Sequence, residues 1–457
     1  MPKISRTKDG CFGCRQRRKK CDLQRPKCKF CSKYNKECQY PTYPKQTLRS
    51  FLSGNHQPYN LEHNQVILKD YIDFNTLSEE YIDELCLKVF REHFFATLVQ
   101  PAWVKANLSA MIEADNACAC HKQVTICVGS AYLSKINPQF TEIARRKYVD
   151  MLTSIKVAEE RQELKWDEGF TFSIVQLLLV RDSIEGTKNH NQTISHILMA
   201  YTIVCKILQT SKEVQRYERA LLESFVYHYS FNYVFLDLKI PCPNEVFSLV
   251  KDALQPEFWS STSVILGCID GFALVAKASH LLLVSLQGFN EEVVQEAEGL
   301  IKEIDDYDYE HLKWRMSVNH SSSSPYYPRD IEESLVFSKV LSSSAKLMLL
   351  KVYDNKTKAE DPKIQEIVGF IIHCMTTMEQ SKQFSLSLLL WPSMVCGFCC
   401  TKAEDRGFLS RVMQKEALSS DFNTLPVSFL RKCWQDELGI DAMYLWIKEN
   451  QYDSDVL

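Results

Sequence analysis

The chain has 457 residues, 45% apolar and 24% charged, which excludes a wholly disordered chain and leads to an expectation of two or three domains. Its formal charge of −3 hides a polarity: residues 1–45 hold 14 Lys and Arg against 3 Asp and Glu, a formal +11, and the remaining 412 residues carry −14. A small polyanion-binding head on a large, mildly acidic body is the arrangement this implies.

The N-terminus reads Met1-Pro2-Lys3-Ile4-Ser5-Arg6 and has no apolar signal core, so a reducing, non-secretory setting is expected. The first element is then built of cysteine. Six of the 18 cysteines follow the pattern Cys11-x2-Cys14-x6-Cys21-x6-Cys28-x2-Cys31-x6-Cys38. In a reducing compartment such a run points to metal rather than to disulfides. Thiolates two residues apart clip a tetrahedral zinc, because one turn brings both sulfurs to the same face. Six thiolates serve one zinc with two left over, or two zincs if two sulfurs bridge; the near-repeat of x2 and x6 spacings favours two. Four thiolates on each ion leave no position for a catalytic water, so the metal is read as structural. A segment of about 40 residues with few apolar side chains cannot bury enough surface to fold unaided. Metal binding must supply the folding free energy, on the order of 10 kcal/mol or more per zinc. Two short helices are expected, from Phe12 to about Lys20 and from Lys29 to about Lys36. Pro26 lies in the connection, where a missing N–H costs little.

Arg15, Arg17, Arg18, Lys19 and Lys20 crowd the first of these helices. Five cations on two turns repel one another unless a polyanion faces them. A DNA duplex meets that need: phosphates give salt-dependent affinity, and base edges in the major groove give specificity, with Arg suited to O6/N7 of guanine. A basic run alone would fit a nuclear-import signal or a solvated face; inside a two-zinc frame it points to duplex binding.

The stretch Cys11-Phe-Gly-Cys14-Arg15-Gln-Arg17-Arg18-Lys-Lys20-Cys21-Asp22, then Pro26-Lys-Cys28-Lys-Phe-Cys31 and Cys38, resembles the fungal zinc binuclear cluster (Zn2Cys6) transcription-factor family. All six spacings fit, as do the basic run, the Asp after the third Cys and the Pro in the loop. The resemblance covers roughly a tenth of the chain. It implies a nuclear, zinc-dependent transcriptional regulator of RNA polymerase II genes that binds double-stranded DNA and holds two Zn²⁺ ions. It also implies that Cys11 and Cys28 bridge the metals, that Cys14 and Cys21 complete one site, and that Cys31 and Cys38 complete the other. By the same resemblance Arg17 and Arg18 lie nearest the bases of a CGG-like triplet, with Arg15 and Lys20 on phosphates. The family usually has Lys where this chain has Arg18, which substitutes a planar fork for a point charge.

From Pro41 to about Asn75 the chain has little periodicity and is punctuated by Pro44, Gly54 and Pro58. The expected organisation is a DNA-binding head at 1–45, a linker at 46–75 and a helical body at 76–457. Many members of the family follow the cluster with a dimerising coiled coil. Here Leu48, Leu52, Leu61, Val66 and Leu68 make no clean heptad, so the segment permits a homodimer without calling for one.

From Thr76 the pattern turns helical. Thr76-Leu-Ser-Glu79 resembles a capping box, and Ile82, Leu85, Cys86, Val89, Phe90, His93 and Phe94 follow the rhythm of one buried face. Pro101 is read as closing that unit. Further helices are predicted at about 122–136 (ended by Asn137-Pro138), 140–164, 170–183, 194–209, 214–234, 262–287, 290–303, 331–353, 361–379, 383–401, 406–417 and 426–449. The apolar stretch at 264–286 is interrupted by Asp270, Lys277 and His280, which argues against a membrane span. Strand patterns are scarce, so the fold class is a small two-zinc, two-helix cluster followed by a large all-α domain, with no fixed-period repeat.

Within the body, Leu390-Trp391-Pro392-Ser-Met-Val-Cys-Gly397, Asp405-Arg406 and Phe429-Leu430-Arg-Lys-Cys-Trp434 resemble the helical regulatory domain found behind some of these clusters. The resemblance implies contact with the transcription machinery or coregulators, and in some cases a small-molecule effector. Read from chemistry alone, Trp391, Trp434 and Trp446 are large core residues. Cys118-Ala-Cys120-His121 has no matching distant ligand pair, and Cys396, Cys399 and Cys400 read as core thiols. The serines at 321–324 before Pro325 read as a connector open to phosphorylation. The mixed acidic and apolar residues of 435–457 read as a terminal helix with an acidic tail. There is no GxSxG, no Gly-rich loop ending in Lys-Ser/Thr and no HExxH, and Gly is scarce at 14 residues. No catalytic residues are expected. The competing reading is a ligand-sensing regulator whose DNA contact is weak or secondary, and within regulation a repressor rather than an activator.

Overall fold

The computed structural model describes residues 11, 13–14, 17, 21–22, 24, 27–38, 78–95, 101–164, 169–185, 190–210, 216–235, 240–254, 263–288, 290–318, 327–380, 386–417 and 424–450. The chain divides into two compact units, Met1–Ile82 and Asp83–Leu457. Among the described residues there is no strand.

The head carries α1 (Lys29–Lys33). The next helix, α2 (Glu79–Val89), contains the division at Ile82 and runs into a π-helical turn at Phe90–Phe94. Its start is capped by Ser78, whose Oγ accepts from the Tyr81 amide at 3.3 Å; Thr76 of the expected capping box lies outside the described residues. The π turn sends the Phe95 amide to the Phe90 carbonyl and sets both rings, 5.6 Å apart, on the buried side.

Six helices follow: α3 (Pro101–Ala117), α4 (Ala119–Ile136), α5 (Thr141–Glu160), α6 (Gly169–Glu185), α7 (His190–Thr210) and α8 (Arg216–Asn232). Pro101 starts a helix instead of closing one, since an N–H at the first helical position makes no intrahelical hydrogen bond and its loss costs little. The same applies to Pro243 at the head of α9 (Pro243–Val250), a helix the apolar rhythm did not announce.

The centre of the body is α10 (Ile269–Gln287), packed on α13 (Tyr327–Tyr353), α8 and α11 (Glu291–Asp305). It is long and apolar enough to cross a membrane by composition, and most of that apolar stretch is buried inside the protein. It starts seven residues later than the periodicity predicts. Segment 263–268 is held as a loop by Glu223, whose carboxylate accepts from the Val264 amide at 2.6 Å and the Ser263 hydroxyl at 2.9 Å. Leu266 and Gly267 there take positive φ of 56° and 70°. Short α12 (Tyr309–Val318) was not predicted; only Leu312 and Met316 of it are buried.

The body ends with α14 (Pro362–Gln380), α15 (Leu390–Cys399), α16 (Ala403–Ala417), α17 (Thr424–Gln435) and α18 (Ala442–Asn450). The single helix expected over 426–449 is two. Glu437 turns left-handed at φ 53°, the Leu438 amide returns to the Cys433 carbonyl at 3.0 Å, and Gly439 follows at φ 55°. One continuous apolar core runs from Phe172 to Ile447. Close approaches depend on missing side chains: a Cβ at Gly129 of α4 would lie 2.2 Å from the Cys86 carbonyl oxygen of α2, and one at Gly397 of α15 would lie 2.7 Å from Leu430 of α17.

Candidate metal centre

The six head cysteines converge. Cys11, Cys14, Cys21, Cys28 and Cys31 are buried and Cys38 is half-buried, with Phe30 packed against them. This sulfur cluster is the core of a segment that has almost no other apolar matter.

Local structure aims the sulfurs. Cys28 caps α1 in an extended conformation, and its Sγ accepts from the Cys31 amide at 3.4 Å. Its own amide donates to the Cys38 Sγ at 3.2 Å. Asp22 anchors the start of the same helix, accepting from the Lys29 amide with both carboxylate oxygens, 3.1 and 3.3 Å away. The helix stops after Lys33, short of the predicted Lys36. Asn35 takes φ 47°, the Lys36 amide returns to the Cys31 carbonyl at 2.9 Å and the Asn35 amide to the Ser32 carbonyl at 3.3 Å. This paired closure turns the chain back toward Cys38.

The donor geometry fits zinc. Cys11 Sγ lies 3.7 Å from Cys28 Sγ and 3.6 Å from Cys31 Sγ, and Cys14 Sγ lies 3.7 Å from Cys28 Sγ. Four sulfurs about 2.3 Å from one tetrahedral zinc are about 3.8 Å from each other; a disulfide would need about 2.05 Å. Two sets form, Cys11, Cys14, Cys21, Cys28 and Cys11, Cys28, Cys31, Cys38, each with its donor atoms within 4.8 Å of one another. The sets share Cys11 and Cys28, so two tetrahedra would join along that edge. Among the described residues no other group of His, Cys, Asp or Glu has this convergence.

Protonation follows from the crowding. Burial pushes the Cys11 and Cys14 thiols up, and burial with the Cys28 and Cys11 neighbours pushes Cys31 up to about 12. Burial acts the same way on Cys28 and Cys38, but the backbone amides and neighbouring thiols that donate to them hold both below the ordinary thiol value. Six sulfurs this close cannot all ionise without a cation among them. A cation there stabilises the thiolates, and its binding releases protons.

The basic run is described at one position. Arg17 is exposed, and its guanidinium carbon sits 3.6 Å from the centroid of the Phe30 ring. Phe30 in turn lies 4.6 Å from the Tyr34 ring. Arg15, Arg18 and Lys20, and most of the predicted helix from Phe12 to Lys20, lie outside the described residues, as do the proposed linker, the serines at 321–324 and the acidic tail from 451. Phe30 was not singled out from sequence. Its signal is an aromatic residue inside the second Cys-x2-Cys of an otherwise polar segment.

The body holds one constellation that sequence reading missed. His121 Nδ1 lies 2.8 Å from Asp115 Oδ1, and its Nε2 lies 2.9 Å from Ser173 Oγ. Asp115 also accepts from Thr125 Oγ1 at 2.8 Å and pairs with Arg91. The order Ser-His-Asp is that of an acyl-transfer triad, but all three side chains are buried and Ser173 sits within a helix face packed into the interior. A substrate has no approach, so the network clamps α3, α4 and α6 to the π turn. His121 thereby takes no part in a metal site with Cys118 and Cys120.

The residues of the second resemblance also meet. Trp434 Nε1 donates to the Gly397 carbonyl at 2.8 Å, Arg406 lies over the Trp434 ring and donates to the Cys400 carbonyl at 2.9 Å, and Trp391 stacks on Phe231 at 5.6 Å. Trp391, Cys396, Cys399 and Cys400 are buried, and Trp434 and Trp446 pack against the same core. Burial pushes the Cys399 thiol well up, and the Cys400 contact together with burial does so for Cys396. These are packed thiols with low nucleophilicity.

Residues 9–47 match the model of the fungal Zn(2)-Cys(6) binuclear cluster domain, and residues 90–444 match that of the fungal specific transcription factor domain. No curated protein and no solved structure matches the chain.

Proposed function

The chain belongs to the fungal specific transcription factor family and carries that family's two-zinc cluster; from this premise we propose that it is a nuclear regulator that reads specific duplex sites at RNA polymerase II genes. We assign Cys11 and Cys28 as the shared ligands, Cys14 and Cys21 to one zinc, and Cys31 and Cys38 to the other. The observation that carries the reading is two four-sulfur sets with a common Cys11–Cys28 edge, beside an exposed Arg17 on the basic run. Two zincs would supply folding free energy to the head and so fix the frame that carries the basic run. This chain's own residues then make the contacts: Arg17 and Arg18 toward base edges of a CGG-like triplet, Arg15 and Lys20 toward phosphates.

The proposed organisation is a head at 1–45, a linker at 46–75 and a regulatory body at 76–457. The body has a continuous core and presents surfaces to coregulators; its acidic balance keeps it from competing for DNA phosphates.

Selection of bound duplexes from a random pool tests the reading. The expected product is a preferred triplet, bound with affinity that falls as salt rises and is lost on chelation; Arg18→Ala flattens the preference. Retention of all duplexes alike, or none, rejects it.

A further inference from the structure

We propose that Phe30 is a positioning residue for DNA reading: its ring holds the Arg17 guanidinium in place before the duplex arrives. This rests on the DNA-binding reading above and deepens it. Arg17 comes from the first half of the head and Phe30 from α1 in the second half. The two meet with the guanidinium carbon 3.6 Å from the ring centroid. Phe30 is itself fixed, packed on the sulfur cluster and 4.6 Å from the Tyr34 ring. The metal-dependent core is thereby linked to the tip of one exposed arginine through a single aromatic side chain.

The geometry suits recognition because of what stacking leaves free. A guanidinium laid on an aromatic face uses its π surface and keeps its in-plane N–H donors exposed. Those donors form the fork that pairs with O6/N7 of guanine or with two phosphate oxygens. A solvated Arg side chain loses rotamer freedom when it is fixed. One already stacked loses less on binding, so Phe30 raises both affinity and discrimination through Arg17. Lysine at position 17 would keep the charge but lose the planar fit. Aliphatic residues at position 30 would keep the packing on sulfur but lose the attractive π face.

The test uses the full-length chain and the duplex it selects. Phe30→Leu preserves apolar packing, and Phe30→Tyr restores an aromatic face. Zinc content is measured for each, and binding is compared on the selected duplex and on versions changed at one base pair. The expected result is two zincs per chain in both variants. The Leu variant binds the selected duplex roughly two- to fivefold more weakly, with reduced discrimination, and the Tyr variant binds as the parent does. In an Arg17→Ala background, Phe30→Leu has no further effect, which a purely structural role would not produce. The inference is overturned if the Leu variant binds as tightly and selectively as the parent, if it loses zinc, or if its defect persists in full beside Arg17→Ala. If the parent itself selects no duplex, the DNA reading fails and this inference falls with it, a result separable from the other three because it appears before any substitution is made.

Discussion

At the scale of single residues, the head and the body solve the problem of buried charge differently. In the head, crowded thiols form two four-sulfur sets whose ionised form a cation stabilises. In the body, Asp115 is surrounded by partners. Burial raises its pKa, but His121, Arg91 and Thr125 more than offset this and hold it below the ordinary carboxylate value. Its unfolded value is about 3.9. The stability it contributes is therefore present above that pH and is lost as pH falls through the lower, folded value. Glu223 has the opposite sign: burial outweighs the help of Arg219, the Val264 amide and Ser263, its pKa is raised, and its cost appears as pH rises through its unfolded value of about 4.3. Acid unfolding of the parent mixes the two, so a variant separates them. Asp115→Asn is expected to destabilise the body by on the order of 3 kcal/mol at neutral pH, and to narrow its gap to the parent as pH drops below about 4. Denaturant titrations of parent and variant across pH 3–7 check this; a gap that stays constant over the range removes Asp115 from the role assigned to it.

At the scale of elements, glycine separates helix propensity from packing. Gly129 and Gly369 both lie within helices, α4 and α14. A Cβ at Gly129 would meet the Cys86 carbonyl oxygen at 2.2 Å, while one at Gly369 meets nothing within 4 Å. Gly129→Ala should therefore cost about 1–3 kcal/mol through overpacking. Gly369→Ala should gain up to about 1 kcal/mol from propensity. Thermal unfolding of the two variants should move in opposite directions, and movement in the same direction would contradict the close packing of Gly129 in α4 on Cys86 in α2. The same contrast explains what was legible. Helices with an apolar rhythm and a local cap, such as α4 before Asn137-Pro138 and α11 after Asn290, were readable because their signals lie within them. The loop at 263–268 was not, because it is held by Glu223 from another helix. α3 was missed because Pro101 was read as a stop where it serves as a first residue, and α9 because its eight residues are too short to set an apolar rhythm. In the head, the cysteine spacing singled out the six residues whose sulfurs converge into two four-donor sets. The Arg17–Phe30 stack and the Asp115–His121–Ser173 clamp were not readable, since each joins residues whose proximity only the fold creates.

At the scale of the whole molecule, two kinds of core serve two tasks. From Phe172 to Ile447 the body is held by a continuous apolar interior. The head has sulfur where a core should be, so its order depends on metal. The charge division follows the same line, with a formal +11 on residues 1–45 and −14 on the remaining 412. Metal analysis of the purified full-length chain, joined to X-ray absorption at the zinc edge, tests this account most directly. Two zincs per chain are expected, each with four sulfurs at about 2.3 Å, and both ions are lost when Cys28 becomes Ser, because that sulfur belongs to both sets. One zinc in the parent, nitrogen or oxygen in the ligand shell, or two zincs retained in the Cys28→Ser chain would contradict it.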